Sequence, residues 1–444
     1  MRSLDENSEK TPIDGATPLN GLERAFLLHD RLWRTQHVQI GAGFRFAGAA
    51  PTLAEFRDEM QPRLAAWPIL ATRLSDTGPP RWVAVPTTAI GEQVREFACP
   101  PGTGLREAAE HIMAAPLPRH RPLWELWLVH DGSADRWFGV LKAHHALFDG
   151  ASVAALAQHL LCPVMAPAKV SAGATPVAAP EQSGRLALVK GVTRYVGRLL
   201  PLARPAFRKS IGKGNRLFAW TWVDRQSVHD TARKHGVTVN DIFLAALATA
   251  LREWSDTPWR RGRPCRVWTL VPVDLRPREG GVRLGNSVAS LRVPLPCDEP
   301  DPVRRLTTIA AHTHHAENAD QIAVGSAIQR SLPAWLIAGV ALSLFSPWQI
   351  SLVASNIRGP EHPLSCNGRI VSDPIGLGPL APGHPLGAYL VNSHDQIGIC
   401  VVTDEATPNG QELADLWIRA FAELSDLPTS RISGHATAKT PAHP

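Results

Sequence analysis

One segment of the sequence combines residue types and spacing that suit proton transfer, namely H-H-A-L-F-D-G at residues 144–150. Histidine has an ordinary pKa near neutrality, so it can take a proton from a hydroxyl group as the oxygen attacks a carbonyl. A bare pair of histidines is more often packed or solvated than catalytic, but the Asp-Gly at fixed spacing favours a functional motif. We assign His145 as the candidate general base, with His144, Asp149 and Gly150 as structural support.

The carboxylate of Asp149 has two candidate roles. It lies four residues after His145, where it could orient the imidazole. It could equally form a buried ion pair with Arg276, which follows a strand predicted to begin at Val267. A buried Asp–Arg pair fixes local geometry, and removing one partner costs about 3–5 kcal/mol. We favour the structural role for Asp149.

Hydrophobic periodicity places the motif between a strand and a helix. Residues 124–129 and 137–143 read as two strands, and the Asp-Gly-Ser turn at 131–133 predicts a hairpin between them. After Gly150 the period changes to that of a helix, with apolar residues on one face at Val153, Leu156, Ala157 and Leu160. The motif is therefore expected on a rigid support.

Length and composition indicate a globular protein with a large core. The chain has 444 residues, of which 44% are hydrophobic and 19% charged. The most apolar stretch, 334–346, lies between two prolines and is too short to span a bilayer. None of the six cysteines forms a C-x-x-C pair, so neither a zinc site nor a disulfide scaffold is predicted. We expect a cytoplasmic protein without a bound metal.

Four further segments accompany the histidine motif in a fixed order. They are P-L-W-E at 122–125, N-D at 240–241 opening a helix, G-N at 285–286, and S-N-I-R-G-P at 355–360. Together with the histidine motif they resemble the bacterial wax ester synthase/diacylglycerol acyltransferase family. That family is part of the CoA-dependent acyltransferase superfamily, with chloramphenicol acetyltransferase, carnitine acyltransferases and nonribosomal condensation domains.

The resemblance runs from about Pro18 to Leu424 and implies an α/β fold of mixed (α+β) sheets. The sheets would form two chloramphenicol-acetyltransferase-like lobes with a tunnel between them. Acyl-CoA, as co-substrate, and an alcohol acceptor would enter the tunnel, and no other cofactor is expected. His145 would project into the tunnel.

The resemblance also suggests further site residues. Asn240 is a candidate tunnel contact, although a helix cap is the favoured interpretation for an asparagine at that position. Asn286, Ser355 and Asn356 are candidates for lining the reaction centre and donating a hydrogen bond there.

Some segments depart from the family pattern or suggest other chemistry. Arg358 stands where the family usually has proline, residues 376–391 fit loosely, and 392–395 replace a stretch that usually ends in Tyr-x-Gly. These departures leave the identity of the alcohol open. The histidines of 312–315 lack an H-E-x-x-H pattern, so a solvated helix face is favoured over a metal site.

The predicted organisation has five parts. They are a flexible leader (1–16), an N-terminal acyltransferase lobe with the histidine motif (17–162), a linker with a basic amphipathic segment (163–216), a C-terminal acyltransferase lobe (217–430) and a disordered tail (431–444). Nine basic residues and no acid lie within 184–216. The positive charge of this segment is therefore larger than the net charge of +6 for the whole chain. Because the basicity is local, nucleic-acid binding is not indicated.

The basic segment 185–216 allows three interpretations. It is a solvated helix docked on the protein, a contact with an anionic membrane or lipid-droplet surface, or a cation patch for the phosphates of CoA. A peripheral location at the inner face of the membrane follows from the second.

The functional prediction is an O-acyltransferase with a histidine general base. It would move a long-chain acyl group from acyl-CoA to a lipid alcohol, converting diacylglycerol to triacylglycerol, a fatty alcohol to a wax ester, or both. An acyltransferase acting on the hydroxyl of a specialised metabolite and an inactive lipid-binding relative are the alternatives.

Overall fold

The computed structural model describes residues 16–33, 37–86, 91–162, 205–207, 215–254, 267–276, 284–318, 333–360, 362–366, 368–381 and 383–426. The predicted leader up to residue 15, nearly all of the basic segment and the predicted tail lie outside the described residues. The interpretations that fall on those segments stay predictions.

Two six-stranded sheets and one small sheet organise the chain. The first large sheet has the order β12-β13-β2-β7-β6-β5. Its strands are β2 (Gln39–Ala47), β5 (Val94–Ala98), β6 (Trp124–His130), β7 (Arg136–His144), β12 (Ser365–Cys366) and β13 (Arg369–Leu377). The small sheet contains β1 (Thr17–Pro18), β3 (Thr72–Leu74) and β4 (Arg81–Ala84).

The second large sheet has the order β10-β9-β11-β14-β15-β8. Its strands are β8 (Arg216–Asp224), β9 (Val267–Asp274), β10 (Val288–Leu295), β11 (Leu352–Arg358), β14 (Leu386–Asn392) and β15 (Gln396–Asp404). The sheet is mixed, because β11 runs parallel to β9 and β14 while the other pairs are antiparallel.

The helices cover the sheets and join the strands. In the first half they are α1 (Gly21–Leu32), α2 (Leu53–Ala65), a short 3-10 helix (Pro68–Ala71), α3 (Leu105–Ala114) and α4 (Gly150–Leu161). In the second half they are α5 (Arg225–His235), α6 (Val239–Glu253), α7 (Pro302–Asn318), α8 (Ala334–Leu344) and α9 (Glu412–Asp426). Among the described residues, none of these helices has the length and apolar character needed to cross a bilayer.

Local sequence explains where the first helix begins. The side chain of Asn20 accepts a hydrogen bond from the backbone N–H of Glu23, and the Glu23 carboxylate accepts one from the backbone of Asn20. This reciprocal cap satisfies two donors that the helix cannot satisfy itself. It fixes the start of α1, which later supplies one wall of the site.

The two-lobed α/β fold is confirmed. The boundary between the lobes differs from the predicted one, because a strand from the second half of the chain joins the sheet of the first lobe. β13 pairs antiparallel with β2, with Val371 opposite Phe46 and Leu377 opposite Gly41. Strands β12 and β13 therefore belong to the first sheet, although the sequence-based division placed them in the C-terminal lobe. Alternating hydrophobicity identifies a strand but does not say which sheet it joins. The exchange ties the two lobes together.

Separate cores lie under each sheet, and a third cluster joins them. Helix α6 is the centre of the second core, since every residue from Asp241 to Leu251 is buried. The joining cluster packs Ile112 of α3 and Val140 of β7 against Phe218 of β8 and Tyr389 of β14. Buried contacts across the lobes therefore hold their relative position, which the site between them requires.

Candidate active site

The histidine motif lies between β7 and α4, as its periodicity predicts. β7 ends at His144 and α4 begins at Gly150. The side chain of Asp149 caps the helix, because its Oδ1 atom accepts a hydrogen bond of 2.9 Å from the backbone N–H of Ser152. His145 is thus in a short link held at both ends by regular structure.

His145 lines a cavity of about 450 Å³ between the two lobes. Its ring stacks on Phe26 of α1, with ring centroids 4.1 Å apart and an angle of 18° between the planes. Its backbone N–H donates to the carbonyl of Val38 at 2.9 Å. Most of the lining side chains are apolar, and they come from both lobes. The cavity therefore suits a lipid chain with a reacting group beside His145.

Asn286, from the second lobe, determines which nitrogen of His145 carries the proton. The Nδ2 atom of Asn286 donates to the backbone carbonyls of His145 at 2.8 Å and Ala146 at 3.1 Å. Its Oδ1 atom must therefore face His145, and it lies 3.3 Å from Nδ1. Since an amide oxygen only accepts, the proton is on Nδ1, and Nε2 carries the lone pair.

The surroundings of His145 adjust its basicity. Burial lowers the pKa of the imidazole below its ordinary value, whereas the negative charge of Asp149 opposes that shift. No direct hydrogen bond between Asp149 and His145 is recorded among the described contacts. A lowered pKa keeps the imidazole in its neutral, basic form at neutral pH.

His144 has a structural role in this geometry. Its Nδ1 atom accepts a hydrogen bond of 2.9 Å from the backbone N–H of Ala146, so Nε2 carries the proton and donates to Asp30 at 2.8 Å. Burial alone would raise the pKa of Asp30, but the hydrogen bond from His144 holds it well below its usual range. The pair fixes α1 against the end of β7.

Asp149 and Arg276 form the buried ion pair that the sequence suggested. The Nη2 atom of Arg276 donates to Oδ2 of Asp149 at 2.8 Å, and the same carboxylate oxygen accepts from the backbone N–H of Ser287 at 2.9 Å. Arg276 also donates to the carbonyl of Gly285 at 2.7 Å. These contacts hold the loop that carries Asn286 and favour the structural role for Asp149.

Gly150 leaves room for a close contact between the lobes. A Cβ atom at Gly150 would lie 3.0 Å from Cδ1 of Ile357 on β11, which is tighter than most packing contacts, so the Ile357 side chain would have to shift. The glycine therefore lets α4 approach the strand of the opposite lobe.

The remaining candidates divide into two groups. Ser355 and Asn356 line the cavity from β11, whereas Asn240 is absent from its described lining.

The cap interpretation of Asn240 is wrong, because Thr238 caps α6 and exchanges hydrogen bonds with Asp241. Asn286 was expected to line the reaction centre and donate a hydrogen bond there, but it is absent from the described lining and its N–H groups donate to the backbone carbonyls of His145 and Ala146.

The segments that depart from the family pattern contribute to the cavity in part. Arg358 lines it, as do residues 374–381 and Tyr389. Residues 392–395 are not part of the described lining. Gly378 is needed for close packing, since a Cβ there would lie 2.2 Å from the ring of Tyr389.

Residues of α1 are the part of the site that the motifs did not reveal. Phe26, His29 and Asp30 border or support His145, yet none of them belongs to a motif with a chemical signature. Their one sequence signal is helical spacing, which is consistent with an inward face for Phe26. Within the described ranges, no cluster of three or more potential metal ligands occurs.

Comparison with known proteins agrees with this geometry. The family model of the wax ester synthase/diacylglycerol acyltransferase catalytic domain matches residues 19–211, and that of the WS/DGAT C-terminal domain matches 284–425. Two probable diacylglycerol O-acyltransferases of Mycobacterium tuberculosis are similar to the chain. One, tgs1, is 29% identical over 424 residues, covering 87% of this chain and 90% of the relative. The other, tgs2, is 31% identical over 390 residues, covering 80% and 84%.

Solved structures share the fold. The wax ester synthase/diacylglycerol acyltransferase from Marinobacter aquaeolei VT8 superposes with a TM-score of 0.65 at 20% identity, covering 92% of this chain and 98% of that one. A variant starter condensation domain of rhizomide synthetase, solved with C8-CoA, gives a TM-score of 0.64 at 16% identity, covering 95% and 97%.

Together the two family models span most of the chain, and the residues matched by the first include the histidine motif at the cavity between the two lobes. The expected enzyme class, an O-acyltransferase, is confirmed. The chain belongs to the wax ester synthase/diacylglycerol acyltransferase family.

Proposed function

We propose that the protein transfers a long-chain acyl group from acyl-CoA to a lipid alcohol, forming a triacylglycerol, a wax ester, or both. The observation that carries the proposal is the arrangement of His145 in the cavity. Its Nδ1–H faces Asn286, which leaves the Nε2 lone pair for a substrate hydroxyl, and apolar side chains surround it. The similarity to named diacylglycerol O-acyltransferases supports this substrate class.

The reaction needs one proton carrier and no covalent enzyme intermediate. Nε2 of His145 accepts the proton of the acceptor hydroxyl as its oxygen forms a bond to the thioester carbon. The C–S bond then breaks, and the imidazolium returns the proton to the departing CoA thiolate. The Nδ1–H bond to Asn286 stabilises the imidazolium while the charge is present. The apolar wall reduces hydrolysis of the thioester by excluding water.

The proposal is tested by CoA-thiol release. The purified protein is given palmitoyl-CoA with hexadecanol, with 1,2-dipalmitoylglycerol, or with a panel of small hydroxylated metabolites, and the products are identified by mass spectrometry. Alcohol-dependent release should disappear in His145→Ala and persist in the control His130→Ala, whose surface histidine contacts Glu96. Release that survives His145→Ala would contradict the assigned base. Binding without turnover of any alcohol would support the inactive lipid-binding alternative.

One observation favours the alternative acceptor class. Arg358, which stands at the usual proline position of the family, lines the cavity at the end of β11. A guanidinium there suits an acceptor with a polar or anionic group. If small hydroxylated metabolites react and both lipid alcohols do not, the specialised-metabolite acyltransferase replaces the leading proposal.

We also propose peripheral contact with a lipid surface. The segment 185–216, which suggested it, lies outside the described residues, but the described surface offers separate support. Five large apolar side chains are exposed on or beside α1 and α8, which both line the cavity; they are Leu28, Leu32, Trp33, Trp335 and Trp348. Residues 331–357 include no charged side chain. Tryptophan is favoured where an apolar phase meets water.

Vesicle sedimentation distinguishes a contact made by the exposed apolar side chains from one made by the basic segment. Trp335→Ser with Trp348→Ser should weaken binding to neutral and anionic vesicles alike, whereas neutralising the basic residues of 185–216 should weaken binding to anionic vesicles and remove its salt dependence. Binding that neither set of substitutions changes would contradict the proposed surface contact.

A further inference from the structure

His29 is a buried polar side chain without a hydrogen-bond partner. It lies on α1, is 2% exposed and lines the same cavity as His145. Among the described residues, neither ring nitrogen makes a hydrogen bond. Oδ1 of Asp30 is 3.7 Å from Nδ1, which is beyond hydrogen-bond distance. Buried polar groups are normally bonded, so an imidazole of this kind in a cavity wall indicates a partner supplied by a ligand.

The helix places His29 close to the reaction centre. Phe26 and His29 are three residues apart on α1, where side chains lie on one face with Cβ atoms about 5–6 Å apart. Phe26 stacks directly on the ring of His145. The acceptor hydroxyl must reach Nε2 of His145, so an acceptor bound there would lie near this wall.

The wall around His29 is otherwise apolar. The other lining residues that α1, β2 and the link before β2 contribute have no polar side chain; they are Leu22, Ala25, Phe26, Val38, Ile40, Gly41, Ala42 and Phe44. A fatty alcohol uses its single polar group at His145, and the rest of its chain would leave His29 unbonded. A diacylglycerol carries ester carbonyls a few bonds from its free hydroxyl, so it has a second polar group to offer when the hydroxyl lies at His145.

The neighbouring carboxylate leaves His29 able to donate. Oδ2 of Asp30 accepts from His144 at 2.8 Å, and Oδ1 accepts from the backbone N–H of Val38 at 3.3 Å. Both oxygens already accept a hydrogen bond, and His29 lowers the pKa of Asp30 further only from 3.7 Å, beyond hydrogen-bond distance. The imidazole can carry its proton on Nε2, where it would donate to a carbonyl oxygen.

We propose that His29 is a polar subsite that donates a hydrogen bond to an ester carbonyl of a glyceride acceptor. The subsite makes the enzyme prefer diacylglycerol to fatty alcohol. This inference rests on the proposed function, since it assigns the acceptor within the same cavity.

Three variants test the subsite: His29→Leu, His29→Gln and the control Arg31→Ala. His29→Leu removes the donor with similar volume, His29→Gln restores an N–H, and Arg31 is an exposed residue of the same helix. The kcat/KM values for 1,2-dipalmitoylglycerol and hexadecanol are measured for each. His29→Leu should lower the preference for the glyceride about tenfold, as expected for the loss of a substrate hydrogen bond in a buried site. His29→Gln should recover part of it, and Arg31→Ala should not change it.

Two kinetic results would overturn the subsite. An equal loss for both acceptors would show that His29 only supports the fold. A raised KM for palmitoyl-CoA with either acceptor would move the hydrogen bond to a carbonyl of the pantetheine arm.

A binding experiment keeps the test separate from catalysis. Radiolabelled 1,2-dipalmitoyl-3-deoxyglycerol has the ester carbonyls but no reactive hydroxyl. Its dissociation constant should rise about tenfold in His29→Leu. An unchanged constant would overturn the subsite even if the protein turns over no lipid alcohol, whereas a wild-type protein that binds the analogue without turnover would contradict only the proposed function.

Discussion

Asn286 holds the proton of His145 on Nδ1 from across the lobe boundary. Its Oδ1 atom lies 3.3 Å from Nδ1 of His145, and its Nδ2 atom donates to the carbonyls of His145 and Ala146 at 2.8 and 3.1 Å. The first lobe therefore supplies the base and the second lobe sets its tautomer. The base is correctly arranged only while the lobes are together.

Removing this amide should affect turnover more than binding. Asn286→Leu keeps the volume but removes the acceptor for Nδ1–H, so the imidazole can adopt the tautomer that blocks Nε2. We expect kcat to fall about 100-fold, which is within the range that a general base contributes. The KM for palmitoyl-CoA should stay within about twofold. Steady-state kinetics measure both values, and a change confined to KM would contradict the role of Asn286.

The pH dependence of kcat/KM should follow the titration of His145. Only the neutral imidazole is a base, so the rate rises with pH through the pKa of His145 and then levels off. Burial lowers that pKa, and the midpoint should therefore lie below the ordinary value of 6.5. A bell-shaped or rising profile centred above that value would contradict the assignment.

A negatively charged side chain at position 286 tests whether this contact sets the pKa of His145, because the direction of the expected shift is known. Asn286→Asp places a carboxylate 3–4 Å from Nδ1 on the geometry of the native contact, roughly the distance at which an opposite charge favours the imidazolium. The midpoint of the rise in kcat/KM with pH should then move to higher pH. An unchanged midpoint would show that this contact does not set the basicity of His145.

The ion pair between Asp149 and Arg276 should contribute mainly to stability. Asp149 is 1% exposed and its carboxylate is bonded to Arg276, Ser152 and Ser287. Arg276→Ala leaves that carboxylate buried without its cation, and we expect a loss of about 3–5 kcal/mol in the free energy of unfolding. Urea denaturation measures the loss. Arg45→Ala, which breaks an exposed contact with Asp373, is the control and should cost at most about 1 kcal/mol.

The pH profile of Arg276→Ala distinguishes this role from a direct catalytic one. If Asp149 only holds the loop of Asn286, the variant that remains folded at low temperature should be slower than the wild type. The midpoint of its pH profile should be the same as in the wild type. A large shift of the midpoint would show that Asp149 acts on the imidazole itself.

Local patterns were sufficient for the elements that carry the motif. The strands at 124–130 and 136–144 and the helix from Gly150 follow from alternation, a turn signal and a change of period, because each depends on neighbouring residues. The contact between Asp149 and Arg276 was also anticipated, since a buried carboxylate beside a strand end needs a cation.

Long-range pairing set the features that were not anticipated. One of the two partners of β2 is β13, whose residues lie more than 300 positions later in the chain. Asp30 is the partner of His144, 114 positions away, and an acid on an amphipathic helix carries no signal for such a contact. Asn240 failed as a cap because Thr238, two residues earlier, forms the complete capping box with Asp241.

Lys142 gives a pH dependence of stability that is separate from catalysis. Its Nζ atom is buried and donates at 2.7 Å to the carbonyls of Ile112 and Ala115 at the end of α3, with Glu125 3.6 Å away. Burial lowers its pKa to about 8 from the ordinary 10.5. Between these values the unfolded chain binds the proton more strongly than the folded protein does. The free energy of unfolding should therefore rise with pH across that interval on account of Lys142.

Lys142→Gln tests this rise, because glutamine stays neutral and can still donate to a carbonyl. Urea denaturation at pH 7.5, 8.5 and 9.5 gives the difference in stability between the two proteins. That difference should grow in favour of the wild type as the pH rises, since only the wild type loses a destabilising buried charge. Lys234→Gln, which removes a lysine bond to the carbonyl of Ser425, controls for loss of a contact alone. A difference that is constant over this range would show that Lys142 does not titrate in the folded protein between pH 7.5 and 9.5.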